Sequence, residues 1–247
     1  MKIILIILVF YSLLFSKSIK VYTEEFPPYN YETSDGEVTG VSTEIVKAIF
    51  EDAEILYGIF IYPWARAIYE VENNEYTALY STSRRPDREA KFLWVGELLI
   101  PKYSIFALSN RDDIKGKKIE DFKQYRIGTT KGDARESYLI SKGFKIGENI
   151  DQVTGAVANI QNYKKLKMGR IDLWPMPDAV SSYIMEYCGD KSTTLKKVFT
   201  IEELSQNGYY LALNKNTPKE IVDKLQNSLI KLKRNGTINR IYKKWGV

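Results

Sequence analysis

Short apolar, β-rich runs recur along the chain, separated by stretches with helical spacing. Strand-like runs lie at Ile19–Thr23, 55–62, 77–81, Tyr103–Leu108, 126–129, 171–174 and 209–213. Pro27-Pro28 stops the first of them and makes a rigid loop beyond its C-terminal end. Asp35-Gly36 marks a turn. Ser42 can cap a helix that turns Ile45, Ile49 and Phe50 or Ala53 inward. Further helices are expected at 64–72, from Gly132-Asp133 to about Ser141, at 157–168, and at 179–187 with Asp178 as its cap. Thr217-Pro218-Lys219-Glu220 has the spacing of a capping box with proline at the first helical position. Ile221, Val222, Leu225, Leu229 and Leu232 continue that helix to Asn235-Gly236, and a last helix runs from Thr237 through Trp245.

Strands alternating with helices predict α/β layers built on parallel sheets. The alternation restarts after Asn110-Arg111-Asp112-Asp113, and Tyr209 opens an apolar return strand. Two lobes crossed twice by the chain are therefore expected. At 247 residues the chain is long enough for two small cores.

Composition narrows the chemistry. There is no histidine, which removes the commonest general base and metal ligand. The single cysteine, Cys188, cannot close an intrachain disulfide and reads as a small, partly buried apolar residue. The net charge of +5 is mild and its basic residues are scattered, which argues against a nucleic-acid partner. At the N-terminus, Lys2, an apolar run from Ile3 to Phe15 and then Ser16-Lys17-Ser18 have the layout of a secretory signal peptide over residues 1–18. An uncleaved anchor is the alternative. No later apolar run is long enough to span a membrane.

Six stretches in order carry a family resemblance. They are the N-terminal leader; Phe26-Pro27-Pro28-Tyr29 with Asp35-Gly36 and Gly40-Val41; and Arg85-Pro86-Asp87-Arg88 with Phe92. Then come Ile127-Gly128 through Gly132; Gly169-Arg170-Ile171-Asp172; and Tyr242-Lys243-Lys244-Trp245. Together they resemble the bacterial extracellular solute-binding proteins of family 3, the type II periplasmic binding proteins, many of which serve polar amino-acid uptake. Pro63-Trp64-Ala65-Arg66 resembles a Trp-x-Arg subgroup whose ligands are mostly unassigned. The resemblance implies two α/β lobes, two hinge crossings and a ligand cleft between the lobes. Lobe 1 would hold 19–106 and the return segment 207–247, and lobe 2 would hold 107–206.

The same resemblance nominates a site. Where the family has Thr-x-x-Arg, its arginine grips the ligand carboxylate. Here Arg85 replaces the threonine and Arg88 keeps the arginine's place. A guanidinium fork matches a carboxylate, although Arg88 could equally be a surface arginine paired with Asp87 or Glu89. Ser81 and Ser83, just past a strand, are candidate hydroxyl and backbone ligands. Phe26 and Tyr29 could form an aromatic wall, or pack the Pro-Pro loop. Trp64 could stack on a ligand and Arg66 add a second cation, unless the pair is a core tryptophan and a solvated arginine. Thr130 and Asp133 lie where a strand meets a helix N-terminus, a place that favours anions, although Asp133 could itself be the cap. Asp178 is the nearest match to the family's partner for a ligand ammonium. It is one residue out of place and follows two prolines.

The expected function is a periplasmic, monomeric solute-binding protein without cofactor. It would capture a small carboxylate-bearing ligand by hinge closure and deliver it to the permease of an ABC transporter. A sensor subunit serving a membrane receptor is the runner-up. An enzyme on the same scaffold, dehydratase-like, comes third, with Glu24 and Glu25 as its reservation.

Overall fold

The computed structural model describes residues 18–246. The expected signal peptide lies outside the described residues, apart from Ser18. In chain order the strands are β1 (Ile19–Thr23), β2 (Tyr31–Glu32), β3 (Val38–Thr39), β4 (Tyr57–Ile61), β5 (Thr77–Ser83), β6 (Phe92–Leu99), β7 (Tyr103–Leu108), β8 (Ile127–Thr130), β9 (Ile150–Val153), β10 (Trp174–Pro177), β11 (Leu195–Thr200) and β12 (Tyr209–Asn214). The helices are α1 (Val41–Asp52), α2 (Trp64–Asn73), α3 (Pro86–Glu89), α4 (Ala134–Ser141), α5 (Ala158–Lys167), α6 (Asp178–Tyr187), α7 (Glu202–Ser205), α8 (Lys219–Arg234) and α9 (Thr237–Trp245).

One sheet has the order β4-β1-β5-β12-β6. β1 runs parallel to both of its neighbours, and β12 returns antiparallel to β5 and β6. Alternation along the strands builds two separate faces. Val21, Ala78, Tyr80, Leu211 and Leu213 face the main core with Ile45, Ile49, Leu225 and Leu229 of α1 and α8. Tyr22, Leu79 and Ala212 face the other way, onto Trp64, Ala67 and Val71 of α2. With both faces covered, β1 reads as a nearly unbroken apolar run.

The other sheet is antiparallel, in the order β10-β7-β11. The parallel pair β8–β9 adjoins it through the bridge of Ile127 to Leu173. The chain passes between the sheets at 100–102 and returns at 201–208. The boundary expected between residues 106 and 107 thus falls inside β7, which pairs along its whole length in the second sheet. An apolar run does not reveal which sheet its partners belong to.

Some local expectations are corrected. Ser42 lies inside α1 and makes no cap bond. The first amides of that helix are satisfied by loop carbonyls instead: Val41 donates to Pro28 at 3.1 Å and Ser42 to Tyr29 at 2.9 Å. Gly40 is required at this junction. Its φ is +116°, and a Cβ there would lie 2.4 Å from the Tyr29 carbonyl oxygen. Thr217 forms no capping box, and its hydroxyl has no partner. The strand expected at 171–174 starts at Trp174 and absorbs both prolines. Pro175 and Pro177 fit because their missing N–H groups fall on the edge away from β7; Asp178, of the opposite parity, donates to Lys102 O at 2.8 Å.

Packing between the first sheet and α8 is close at Gly96, where an added Cβ would lie 2.5 Å from the Leu229 side chain. Gly96→Ala is expected to lower unfolding free energy by about 1–3 kcal/mol in urea denaturation.

Candidate functional site

The two sheets meet over a small cavity beyond the C-terminal ends of β1 and β5, the edge where open α/β sheets bind ligands. One lobe contributes Glu24, Phe26, Trp64, Ser81, Ser83 and Arg88. The other contributes Tyr103, Asp133, Ala134 and Arg135, and Tyr209 closes the hinge side. The water-accessible space is about 20 Å³, room for about one water molecule. A hollow of about 670 Å³ lies on α5 and α6, lined by Lys164, Lys167 and Tyr187 among others. It is open and belongs to one lobe, whereas the small cavity gathers buried charges from both.

Arg88 sits in the single turn α3, which Pro86 opens directly after β5. It is 4% exposed. Its Nη1 donates to Thr82 Oγ1 at 3.1 Å and to Ser83 O at 3.5 Å, and its Nη2 donates to Gly132 O at 3.0 Å. The neighbouring acids are taken: Asp87 by Arg85 at 2.7 and 2.9 Å, and Glu89 by Arg84. Among the described residues Arg88 is therefore a buried cation without a carboxylate partner, not a surface arginine paired with Asp87 or Glu89. Burial, reinforced by nearby Arg85, pushes its pKa down to about 10. The Trp64 ring lies 5.3 Å from its guanidinium carbon.

Ser81 is placed by a bulge. β5 pairs Thr82 with Tyr210 and Leu79 with Ala212, so Tyr80 and Ser81 both stand opposite Leu211. Ser81 takes a φ of +56°, the left-handed region that a serine rarely adopts. The bulge brings to the cavity a buried hydroxyl that has no partner among the described residues. Backbone strain and an unsatisfied hydroxyl thus coincide at this position. Ser81→Ala is expected to weaken ligand binding about fivefold to tenfold in titration calorimetry, with no loss of melting temperature, because no internal hydrogen bond is removed.

Three donors of the first lobe converge on two carbonyls of the second. Arg88 and Trp64 Nε1, at 3.0 and 3.3 Å, reach Gly132 O, and Arg85 Nη1 reaches Asp133 O at 3.1 Å. Asp133 is the cap of α4: its Oδ1 accepts from the Glu136 amide at 2.8 Å. Its other oxygen is held by Arg135, 4% exposed, which also donates to Asn159 Oδ1 at 3.2 Å.

Phe26, Ser83 and Trp64 line the cavity, and Trp64 also packs the core behind it. Tyr29 does not: it is buried behind Phe26, 5.6 Å ring to ring, against Tyr209. Thr130 is buried outside the wall, with its hydroxyl on Asn159. Arg66 points away, over the Tyr62 ring at 4.0 Å and toward Glu70 at 3.6 Å. Asp178 opens α6 without capping it, and its carboxylate pairs with Lys197 at 2.5 Å beside the hinge.

Glu24, Arg135, Tyr103 and Tyr209 were not selected from the sequence as ligand contacts. Glu24 is the first residue past β1, the one positional signal that could have found it. Tyr103 and Tyr209 open the strands that follow the two crossings, and their hydroxyls meet at 2.5 Å. Among the described residues no group of three or more His, Cys, Asp or Glu side chains could hold a metal ion.

The family model for bacterial extracellular solute-binding proteins, family 3, matches residues 19–247. The amino-acid-binding protein AabA of Dichelobacter nodosus is 26% identical over 230 residues, covering 90% of this chain and 84% of that protein. A histidine kinase sensor domain with similarity to periplasmic binding proteins superposes with a TM-score of 0.81 at 19% identity, covering 93% of this chain and 96% of that one. An ancestral arginine-binding protein bound to arginine gives a TM-score of 0.79 at 21% identity, with 92% and 97% covered. These two structures show the same two-lobed α/β fold. A family match over nearly all the described chain, on a fold that buries charged groups between two lobes, leads to one assignment: this protein belongs to the bacterial extracellular solute-binding proteins, family 3.

Proposed function

We propose that the protein is a periplasmic binding protein for a small carboxylate-bearing solute of the amino-acid type, and that it performs no chemistry on it. One observation carries this reading: among the described residues Arg88 is a buried guanidinium without a carboxylate, lining the same cavity as the unpartnered hydroxyl of Ser81. A cation buried in this way is stabilised by an arriving anion. The amino-acid-binding relative supports the choice of solute.

The mechanism is hinge closure. A cavity of about 20 Å³ is too small for an amino acid, so the lobes must part at 100–102 and 201–208 to admit one. The bonds from Arg85, Arg88 and Trp64 to the carbonyls of Gly132 and Asp133 form only when the lobes meet. A ligand shifts the equilibrium toward closure by its higher affinity for the closed arrangement. The closed form would then dock on the permease of an ABC transporter, after export directed by residues 1–18. A second reading, presentation of the closed form to a membrane sensor, is favoured by the likeness to a histidine kinase sensor domain.

Titration calorimetry with polar L-amino acids and their amides tests the carboxylate contact. Binding of an acid but not of its amide is expected. Equal affinity for both would overturn it.

A further inference from the structure

We propose that Tyr31 and Tyr183 form a clasp between the lobes that holds part of the unliganded protein closed and sets the affinity for every solute alike, without touching the solute. This rests on the hinge closure proposed above and not on the carboxylate contact.

The bonds from Arg85, Arg88 and Trp64 join the lobes at the start of α4. A second junction lies on α6. Tyr31 belongs to the β2–β3 hairpin, which leads from β1 into α1 in the first lobe. Its ring meets that of Tyr183, on α6 of the second lobe, at 5.5 Å between centroids and 50° between planes. Neither ring lines the cavity between the lobes. A solute held in that cavity therefore leaves this contact in place, and the contact leaves the solute's surroundings unchanged.

Each ring is seated by its own lobe. Tyr31 stands edge-on to Trp245 of α9, at 6.4 Å and 89°. α9 is tied to α1 by the ion pair of Lys244 and Glu44 at 2.6 Å, and to β6 by the Tyr242 hydroxyl, which donates to Leu98 O. Tyr183 stacks on Tyr187, one turn along α6, at 6.4 Å and 12°. Little rotamer freedom is left to lose when the lobes meet, so most of the attraction between the rings acts on closure. Both rings are half-buried. Burial, with Glu25 near both, raises the pKa of each hydroxyl, so the pair meets uncharged and salt does not weaken it. An aromatic pair of this geometry changes an equilibrium by about twofold to tenfold, here the ratio of closed to open protein. Apparent affinity follows the closed fraction whatever the solute, whereas a contact such as that of Arg88 discriminates between solutes. Uniformity across solutes is the mark of the clasp.

The experiment is small-angle X-ray scattering of the unliganded protein: wild type, Tyr31→Ala, Tyr183→Ala, the double variant and Tyr183→Phe, with circular dichroism to confirm folding. The expected result is a larger radius of gyration in each alanine variant than in wild type. The double variant should expand no further, because either change alone already breaks the pair. Tyr183→Phe keeps the ring and should match wild type. Alanine variants as compact as wild type, or a phenylalanine variant as extended as the alanine one, would overturn the clasp. No solute is present, so this result is independent of the carboxylate reading. Titration of the same variants with the polar L-amino acids should show a loss of about twofold to fivefold in affinity, equal for each one bound and carried by faster dissociation. A loss confined to some of the amino acids bound would mean that a ring touches the solute, and would also overturn the proposal.

Discussion

Replacing Arg88 by methionine is expected to weaken ligand binding sharply and leave the protein about as stable as before. The two effects separate because Arg88 has no acid to lose. Its guanidinium is buried among neutral acceptors, and burial has already pushed its pKa down to about 10. The folded state thus bears the cost of that charge at every pH below about 10. Methionine keeps an apolar stem in place of the arginine's and drops the charge. Gly132 O retains a donor in Trp64 Nε1. Binding should fall by about 2–5 kcal/mol, the range for losing one partner of a buried charged pair. Calorimetry reads the first effect and urea denaturation the second. Retained affinity would remove the carboxylate clamp.

Arg135→Met should do the reverse to stability. Arg135 is as buried as Arg88 but is paired with Asp133. Without it, Asp133 is left as a buried charge beside Glu24, and Asn159 and the Pro175 carbonyl each lose a donor. The expected loss is about 3–5 kcal/mol in urea denaturation. Changing Asp133 to Asn in the same chain should recover a large part of it, because the stranded charge is gone and an oxygen remains to cap α4. A small effect of the single change would mean that the pair contributes little. Two arginines in one cavity thus differ: one is held by the protein's own acid, and the other has no acid on it among the described residues.

The sequence made the architecture legible because strand and helix periods are local. Alternation in β1, β5 and β12 encodes two covered faces, and α8 carries its apolar spacing openly. Sheet membership was less legible: β7 reads as an apolar strand, and only its pairing shows that it opens the second sheet. The helix caps failed where a folded loop supplied carbonyls in place of a serine side chain, as at Ser42.

At the site, Ser81 and Ser83 at the end of β5, Arg88 in α3 and Asp133 at the start of α4 all reach the cavity wall. Tyr29, Thr130, Arg66 and Asp178 lie one layer behind the wall or beyond it, a distinction that depends on side-chain direction rather than spacing. Arg135 was hidden for the opposite reason. In the sequence it resembles any arginine near the start of a helix, and only the approach of β10 buries it.

The cleft is expected to close on a small carboxylate-bearing solute. Thermal unfolding of residues 19–247 against the common L-amino acids and simple carboxylates tests it most directly. At about one hundred times its dissociation constant, the right compound should add about 2.7 kcal/mol of stability, a rise of about 5–10 °C for a chain of this size. A flat response to every compound would contradict the claim.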